Sequence, residues 1–350
     1  MSFKKMKSAF YLVSALSLTC FTGSALAQSS ATVLKVATME VADAPNTMGW
    51  EVFKQYVESE SNGRYKIDIH HSSQLGSSTE LIQAVSSGAL KIVHGDETIA
   101  AIYDPMLVLS IPYLFSNEVV VRKFFESPFF EKISEGFTKK SGIRVLASQT
   151  YGFRSFINSQ RPITNIKDIE GLKIRVQDNP LMVKFIQSLG ALPTTTSWGE
   201  LYSALQQKVV DGAENPPGLV YDAKFYEVTK YMSLDQHTLA FNFFYVNDDW
   251  YNKLSDEDKD IFYTASLLGS AVEFGERIYG NRVSTLGLLE KKGMEINTLG
   301  ADELARFKEA SQPVILEWLK GRIGEEMVNE ALDQVKQIET QIMKEATAKN

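Results

Sequence analysis

The stretch Gly171-Leu172-Lys173-Ile174-Arg175-Val176, followed by Asn179-Pro180 and by Leu181, Phe185 and Leu189, decides how this chain folds. Leu172 to Val176 alternates as a strand, with Lys173 and Arg175 on one face and Ile174 on the other. Asn179 is a helix cap and Pro180 fits a first helical turn, because proline lacks the N–H that the turn leaves unpaired. The apolar residues spaced by four form one helical face, and Gly190 closes it. Strand then helix is the unit of an α/β fold, and the same rhythm runs outward in both directions.

Downstream, Ser197-Trp198-Gly199-Glu200 has the S-x-x-E form of a capping box, for a helix through Leu201, Ala204, Leu205 and Val209. Upstream, Arg144 to Ala147 is a strand. Nearer the N-terminus, Val33 to Ala37 reads as a buried strand, and Thr47 to Glu60 as a helix with Phe53, Tyr56 and Val57 on one face. Asn62-Gly63 turns the chain into a strand at Tyr65 to Ile69, and Ser78 caps a helix running to Ser87 and ended by Gly88. These elements imply lobes built on a mostly parallel sheet. No linker, repeat or low-complexity block interrupts residues 32 to 350, so two lobes would share strands and helices. From Ser255 onward the pattern is helical, near 256–292, 302–320 and 324–347, long enough to strap two lobes together.

The first residues read as an export signal. Lys4, Lys5 and Lys7 precede an apolar run from Ala9 to Phe21, and Ala25-Leu26-Ala27 has the form of a cleavage site. The run falls short of the roughly 20 residues a membrane span needs. Cleavage after Ala27 and a periplasmic location are therefore expected, in preference to an uncleaved anchor. The one cysteine, Cys20, lies inside this signal, behind a poor lipobox at Ser17-Leu18-Thr19, so the mature chain forms no disulfide and is held by its core. With 36 Lys+Arg against 43 Asp+Glu the chain is acidic, and more so once the leader's lysines are gone. That balance argues against nucleic acid or an anionic membrane as partner, and an anionic ligand would need a locally positive pocket.

Catalytic patterns are scarce: there is no G-x-S-x-G, H-E-x-x-H, phosphate-cradling glycine loop or C-x-x-C. His70 and His71 point to opposite faces of a strand end and make no simple two-histidine metal site, and Asp235, Gln236 and His237 read as loop polars. No enzyme activity, cofactor or metal is expected. Arg154, after Tyr151-Gly152-Phe153, and Arg175 are more informative, because a guanidinium among apolar neighbours must meet an anion. Each is either a ligand anchor or half of an internal ion pair. In Asp211-Gly212-Ala213-Glu214-Asn215-Pro216-Pro217, a glycine turn and two prolines give a stiff segment in which Asn215 can donate to a carboxylate. Glu214 would repel such a ligand and is expected to pair with a backbone or basic group.

Taken in order, Ser72-Ser73-Gln74-Leu75-Gly76, Ile111-Pro112-Tyr113-Leu114-Phe115, Gly171 to Val176, Leu189-Gly190-Ala191, Glu200 to Gln207, Val210 to Pro216 and Phe225-Tyr226-Glu227-Val228 closely resemble the solute-binding subunit of tripartite ATP-independent periplasmic (TRAP) transporters. The resemblance covers essentially the whole mature chain. It implies a periplasmic-binding-protein-like α/β fold with a hinge, lobe I at 28–151 plus 241–280 and lobe II at 152–240 plus 281–350. It implies a salt bridge from Arg175 to the ligand carboxylate, assistance from Arg154 and Asn215, and packing by Trp198, which could equally be core. Met39 and Glu40 would reach the ligand's far end, with Asp96 and Glu97 as further candidates. Lys208 stands where many relatives have glycine. Glu40 suits hydroxyls, which favours a hydroxylated monocarboxylate such as a sugar acid over a C4-dicarboxylate. The alternative is an ectoine-like or amino-acid zwitterion, against which two arginines at the anchor speak. The implied partners are the small organic acid and the membrane subunits of the transporter, with the chain a monomer. An exported hydrolase and a receptor-docking sensor subunit are the rival classes.

Overall fold

The computed structural model describes residues 30–348, the side chains of Pro45 and Asn46 excepted. The export signal, Cys20 and the expected cleavage point lie outside the described residues. In the first half, β1 (Thr32–Ala37), α1 (Pro45–Glu60), β2 (Tyr65–His70), α2 (Ser78–Ser86) and β3 (Ile92–Gly95) alternate. Two helices, α3 (Glu118–Phe125) and α4 (Pro128–Ser141), lead into the long strand β4 (Ile143–Asn158). A second alternation follows in β5 (Lys173–Val176), α5 (Pro180–Ser188), β6 (Leu192–Thr195), α6 (Trp198–Gln206), β7 (Gly212–Asn215) and α7 (Pro217–Asp222). The chain ends with the long strand β8 (Tyr231–Asn247), then α8 (Asp248–Asn252), α9 (Asp256–Tyr279), α10 (Thr285–Lys291), β9 (Glu295–Thr298), α11 (Ala301–Ile323) and α12 (Glu325–Thr347).

All nine strands of the described residues join one sheet, ordered β2-β1-β3-β8-β4-β7-β5-β6, with β9 beside β8. The sheet is not simply a parallel one. Two parallel triplets, β2-β1-β3 and β7-β5-β6, flank a pair of long antiparallel strands. The end of β8 pairs with β3, and the end of β4 pairs with β7, so each long strand serves both halves. Between them the register shifts at Val145/Ala147, Thr150/Gly152 and Arg154/Phe156, and Gly152 adopts φ +100° there. Bulges of this kind bend a strand and re-aim its side chains.

Helices cover both faces. One continuous apolar cluster runs under both halves and includes Val93, Phe124, Phe185, Phe241, Phe307, Leu319 and Val335. Separate clusters fill the opposite face, around Trp50, Phe53 and Phe262 in the first half and Leu201, Val210 and Phe225 in the second. Helix α11 packs on α5 and on the turn at 104–110, while α12 packs on α3 and α4, so the two C-terminal helices do strap the halves together. No helix among the described residues is long and apolar enough to cross a membrane.

Local readings hold in part. Asn179 caps α5 by accepting from the amides of Leu181 and Met182, as its position predicts. The cap of α2 is Ser77 rather than Ser78, in a reciprocal box with Glu80. At α6 the Ser197 hydroxyl donates to the Glu200 carboxylate at 2.6 Å and makes no capping bond to the backbone. That helix stops at Gln206, short of Val209. Residues 212–215 are a central strand and not a glycine turn, because Gly212 lies so close to β4 that a Cβ there would come within 2.2 Å of the Ile157 carbonyl. Asp235 and His237 belong to β8 and are buried, so neither is a loop polar.

Candidate ligand-binding pocket

Parallel strands converge their carboxyl ends, and the crevice beyond those ends is where open α/β sheets bind ligands. Here two such edges face one pocket. Met39 and Glu40 follow β1, Asp96 and Glu97 follow β3, Arg175 and Gln177 come from the end of β5, and Asn215 ends β7. Tyr151 and Arg154 enter from the bulged middle of β4, Trp198 from the first turn of α6 and Leu219 from α7. All eight residues expected at the site line it together. Sequence reading does not single out Tyr151, Gln177 or Leu219; the Tyr151-Gly152 bulge leaves no periodic signal, though Gln177 stands two residues past Arg175 and on its face of the strand.

Arg175 is 3% exposed, and its Nε donates to the Thr196 carbonyl at 2.8 Å. Among the described residues no carboxylate lies within ion-pair distance of it. Burial, and then the neighbouring Arg154 charge, lower its pKa to about 10. Beside it the Asn215 Oδ1 accepts from Arg154 at 3.3 Å, while its buried Nδ2 has no hydrogen-bond partner. A cation without a counter-ion and a donor without an acceptor thus face the same space, which suits a carboxylate.

Arg154 is in the opposite situation. Its Nε bonds Glu214 Oε2, its Nη2 donates to Glu214 Oε1 at 2.9 Å and its Nη1 to Glu97 at 3.0 Å. Burial opposes its charge, but Glu214 and Glu97 raise its pKa further. Arg154 therefore forms the internal ion pair that its sequence context left open, and Glu214 has the basic partner expected of it. Two arginines do not both stand ready for an anion, so that argument against a zwitterionic ligand falls. Burial would raise the Glu214 pKa, yet Arg154 and His237 hold it below the ordinary value. His237 in turn sits 2.9 Å from Asp235 and 3.3 Å from Glu214. Burial would lower its pKa, and these carboxylates outweigh that and lift it to about 9. Glu97 shares Arg154 with Glu214; burial dominates there and pushes its pKa to about 7.

Trp198 serves both of its expected roles, lining the pocket while its ring packs edge-on against Phe225 at 5.3 Å. Asp96 is held by the Ser78 hydroxyl at 2.6 Å and by the amide and hydroxyl of Thr98. The pocket has a volume of about 40 Å³. That is room for about three waters, or a carboxylate head. A larger groove of about 1100 Å³ lies over the first half of β4, between α4 and α9. Its cations are already matched, Arg144 to Asp248, Arg122 to Glu126 and Lys139 to Glu135, so it offers no unmatched cation to a small anion. Among the described residues no cluster of three or more His, Cys, Asp or Glu could hold a metal ion.

Comparison with known proteins agrees with this architecture. The sequence profile of "Bacterial extracellular solute-binding protein, family 7" matches residues 36–321. The sialic acid-binding periplasmic protein SiaP of Vibrio cholerae is 28% identical over 303 residues, covering 86% of this chain and 92% of that protein. The sugar acid binding protein of Advenella mimigardefordensis, solved with galactonate, superposes with a TM-score of 0.84 at 28% identity, covering 88% of this chain and 99% of that one. A TRAP periplasmic solute binding protein of Haemophilus influenzae with bound L-gulonate gives 0.82 at 26% identity, over 88% and 99%. The chain belongs to the family 7 extracellular solute-binding proteins, the solute-binding proteins of TRAP transporters.

Proposed function

We propose that this protein captures a small hydroxylated monocarboxylate, a sugar acid foremost, and that Arg175 anchors its carboxylate. The observation that carries this reading is the buried Arg175 guanidinium without a protein carboxylate, beside the unpartnered amide of Asn215. Glu40, Asp96 and Glu97 line the same pocket and disfavour a second carboxylate on the ligand. Bound galactonate and L-gulonate in structural relatives point the same way. In this reading Arg154 positions Asn215 and Gln177 rather than pairing with the ligand itself. Residues 28–151 with 241–280 and residues 152–240 with 281–350 act as lobes hinged at the middle of β4 and β8, and the pocket widens to admit a whole sugar acid before closing on it.

The protein acts without catalysis, as an exported monomer in the periplasm that hands its ligand to the transporter's membrane subunits. A zwitterion remains the second reading, favoured by the three carboxylates opposite Arg175 and by an ectoine-binding relative from Ruegeria pomeroyi that is 28% identical. Isothermal titration of galactonate, L-gulonate, erythronate, a C4-dicarboxylate and ectoine tests the class. Removing one partner of a buried charge pair costs about 2–5 kcal/mol, so Arg175→Ala should bind the cognate acid at least tenfold more weakly. Equal binding by the mutant would reject Arg175 as the anchor.

A further inference from the structure

Behind Glu40 a chain of buried polar groups runs inward from the pocket. The Glu40 carboxyl meets the Tyr151 hydroxyl at 3.1 Å, and Tyr151 meets His94 Nε2 at 3.2 Å. Asn242 Nδ2 lies 2.5 Å from the same His94 nitrogen and 2.7 Å from Glu273 Oε1, while His94 Nδ1 contacts the Thr38 hydroxyl at 3.0 Å. All of these side chains are buried.

Two inventories constrain the protons. The first is charge. The groups facing Glu40 and Glu273 are Tyr151 on β4, His94 on β3, Asp96 after β3, Arg277 on α9 and Asp222 on α7. Arg277 is the only cation in that set, and it already pairs with Asp222 at 2.7 Å. Two further anions in this buried space would outnumber it, and a buried carboxyl in that position keeps its proton. The second inventory is hydrogen bonds. Asn242 Nδ2 directs its two hydrogens at His94 Nε2 and Glu273, which leaves His94 Nε2 an acceptor and Nδ1 the protonated nitrogen. Asn242 occupies the single lone pair of that nitrogen, so the Tyr151 hydroxyl donates to Glu40 Oε1, which leaves Glu40 Oε2 as the oxygen that carries a proton. Deeper in, Asn242 Oδ1, Gln149 Oε1 and Glu273 Oε2 all lack donors, and a proton on Glu273 gives that group one.

We propose that Glu40 is a specificity-determining residue that meets the ligand as a neutral acid, held so by the chain Tyr151, His94, Asn242 and Glu273, and that a hydroxylated monocarboxylate binds with uptake of one proton from solvent. The inference rests on the hydroxylated-acid reading for its ligand and on the inner chain for its proton. A neutral carboxyl both donates to and accepts from hydroxyls, which a carboxylate cannot do. Burial, only partly countered by Arg277, moves the Glu40 pKa up to about 7, and burial moves Glu273 to about 8. An incoming anion favours the neutral form further, so affinity is highest in mild acid and falls as pH rises, approaching about tenfold per pH unit once free Glu40 is ionised. A ligand with a cationic group at Glu40 reverses the sign, since Glu40 then binds ionised.

Two measurements decide the matter. Carbon-13 NMR of glutamate carboxyls in the unliganded protein should show three groups titrating above pH 6, one missing in Glu40→Gln, another in Glu273→Gln, and the third, Glu97, present in both variants. Calorimetry of L-gulonate and galactonate in buffers of different ionisation enthalpy should show net proton uptake near pH 8, lost in Glu40→Gln. If neither variant removes a titration above pH 6, the proton assignment is overturned whether or not any acid binds. If either acid binds without proton exchange, the coupling is overturned. If the Glu40 and Glu273 titrations appear and neither acid binds, the hydroxylated-acid reading fails while the proton assignment stands.

Discussion

Arg154 and Arg175 occupy the same kind of sequence context and end in opposite electrostatic states. Arg154 balances Glu214 and Glu97, both buried, so its removal leaves Glu97 with no counter-charge and Glu214 with only the His237 that Asp235 already shares. Breaking a buried pair in this way costs about 3–5 kcal/mol. Arg154→Ala is therefore expected to lower the urea midpoint strongly, and an unchanged midpoint would show that the pair contributes nothing to folding. Arg175→Ala removes a buried charge that no protein group neutralises, so its stability should match or exceed wild type while binding falls. The two arginines thus separate a folding defect from a binding defect. Sequence alone left both options open at both positions, because strand alternation fixes the face a side chain takes but not the partner it meets there.

Elements were legible wherever local chemistry dominates. The end of α6 shows both sides of this. Lys208 N–H donates to the Leu205 carbonyl and Val209 N–H to the Ala204 carbonyl, the bonding of a Schellman cap, and Lys208 accordingly sits at φ +57°. A non-glycine residue in that left-handed well costs roughly 1–2 kcal/mol, and glycine's extra backbone entropy returns roughly 0.5–1. Lys208→Gly should stabilise the protein by about 0.5–1 kcal/mol in chemical denaturation; a loss of stability would mean that the lysine makes a compensating contact. Strand β7 was misread for the converse reason. Its glycine and following prolines have turn chemistry, yet β4 and β5 supply partners on both sides and the close approach at Gly212 demands glycine. Gly212→Ala is expected to destabilise by at least the 1–3 kcal/mol of ordinary overpacking, and a near-neutral result would contradict that approach.

For the whole molecule, the buried ionisable groups set a pH optimum. Glu97, Glu273 and His237 have folded pKa values raised to about 7, 8 and 9 from ordinary values of 4.5, 4.5 and 6.5. Each binds protons more tightly when folded, so its stabilisation is complete below the unfolded pKa and is lost as pH rises through the folded one. His94, lowered from 6.5 to about 3 chiefly by burial, acts in the opposite sense, and its contribution is lost as pH falls below 6.5. Thermal midpoints should therefore peak in mild acid and decline between about pH 7 and 9, with a shallower decline in Glu273→Gln. A midpoint that stays flat from pH 6 to 9 would refute this account of the buried carboxyls.

Alternation, capping residues and ordered motifs determined the α/β class, the family and the residues that would gather at the pocket, because those signals act over a few neighbours in the chain. Three decisions belonged to the tertiary structure. It threaded β4 and β8 through both halves, it gave Arg154 its carboxylates while leaving Arg175 without one, and it buried Glu40, His94 and Glu273 side by side. Each of these rests on contacts between residues dozens to hundreds of positions apart. Charge and hydrogen-bond partners in a protein interior are fixed only when those distant segments meet.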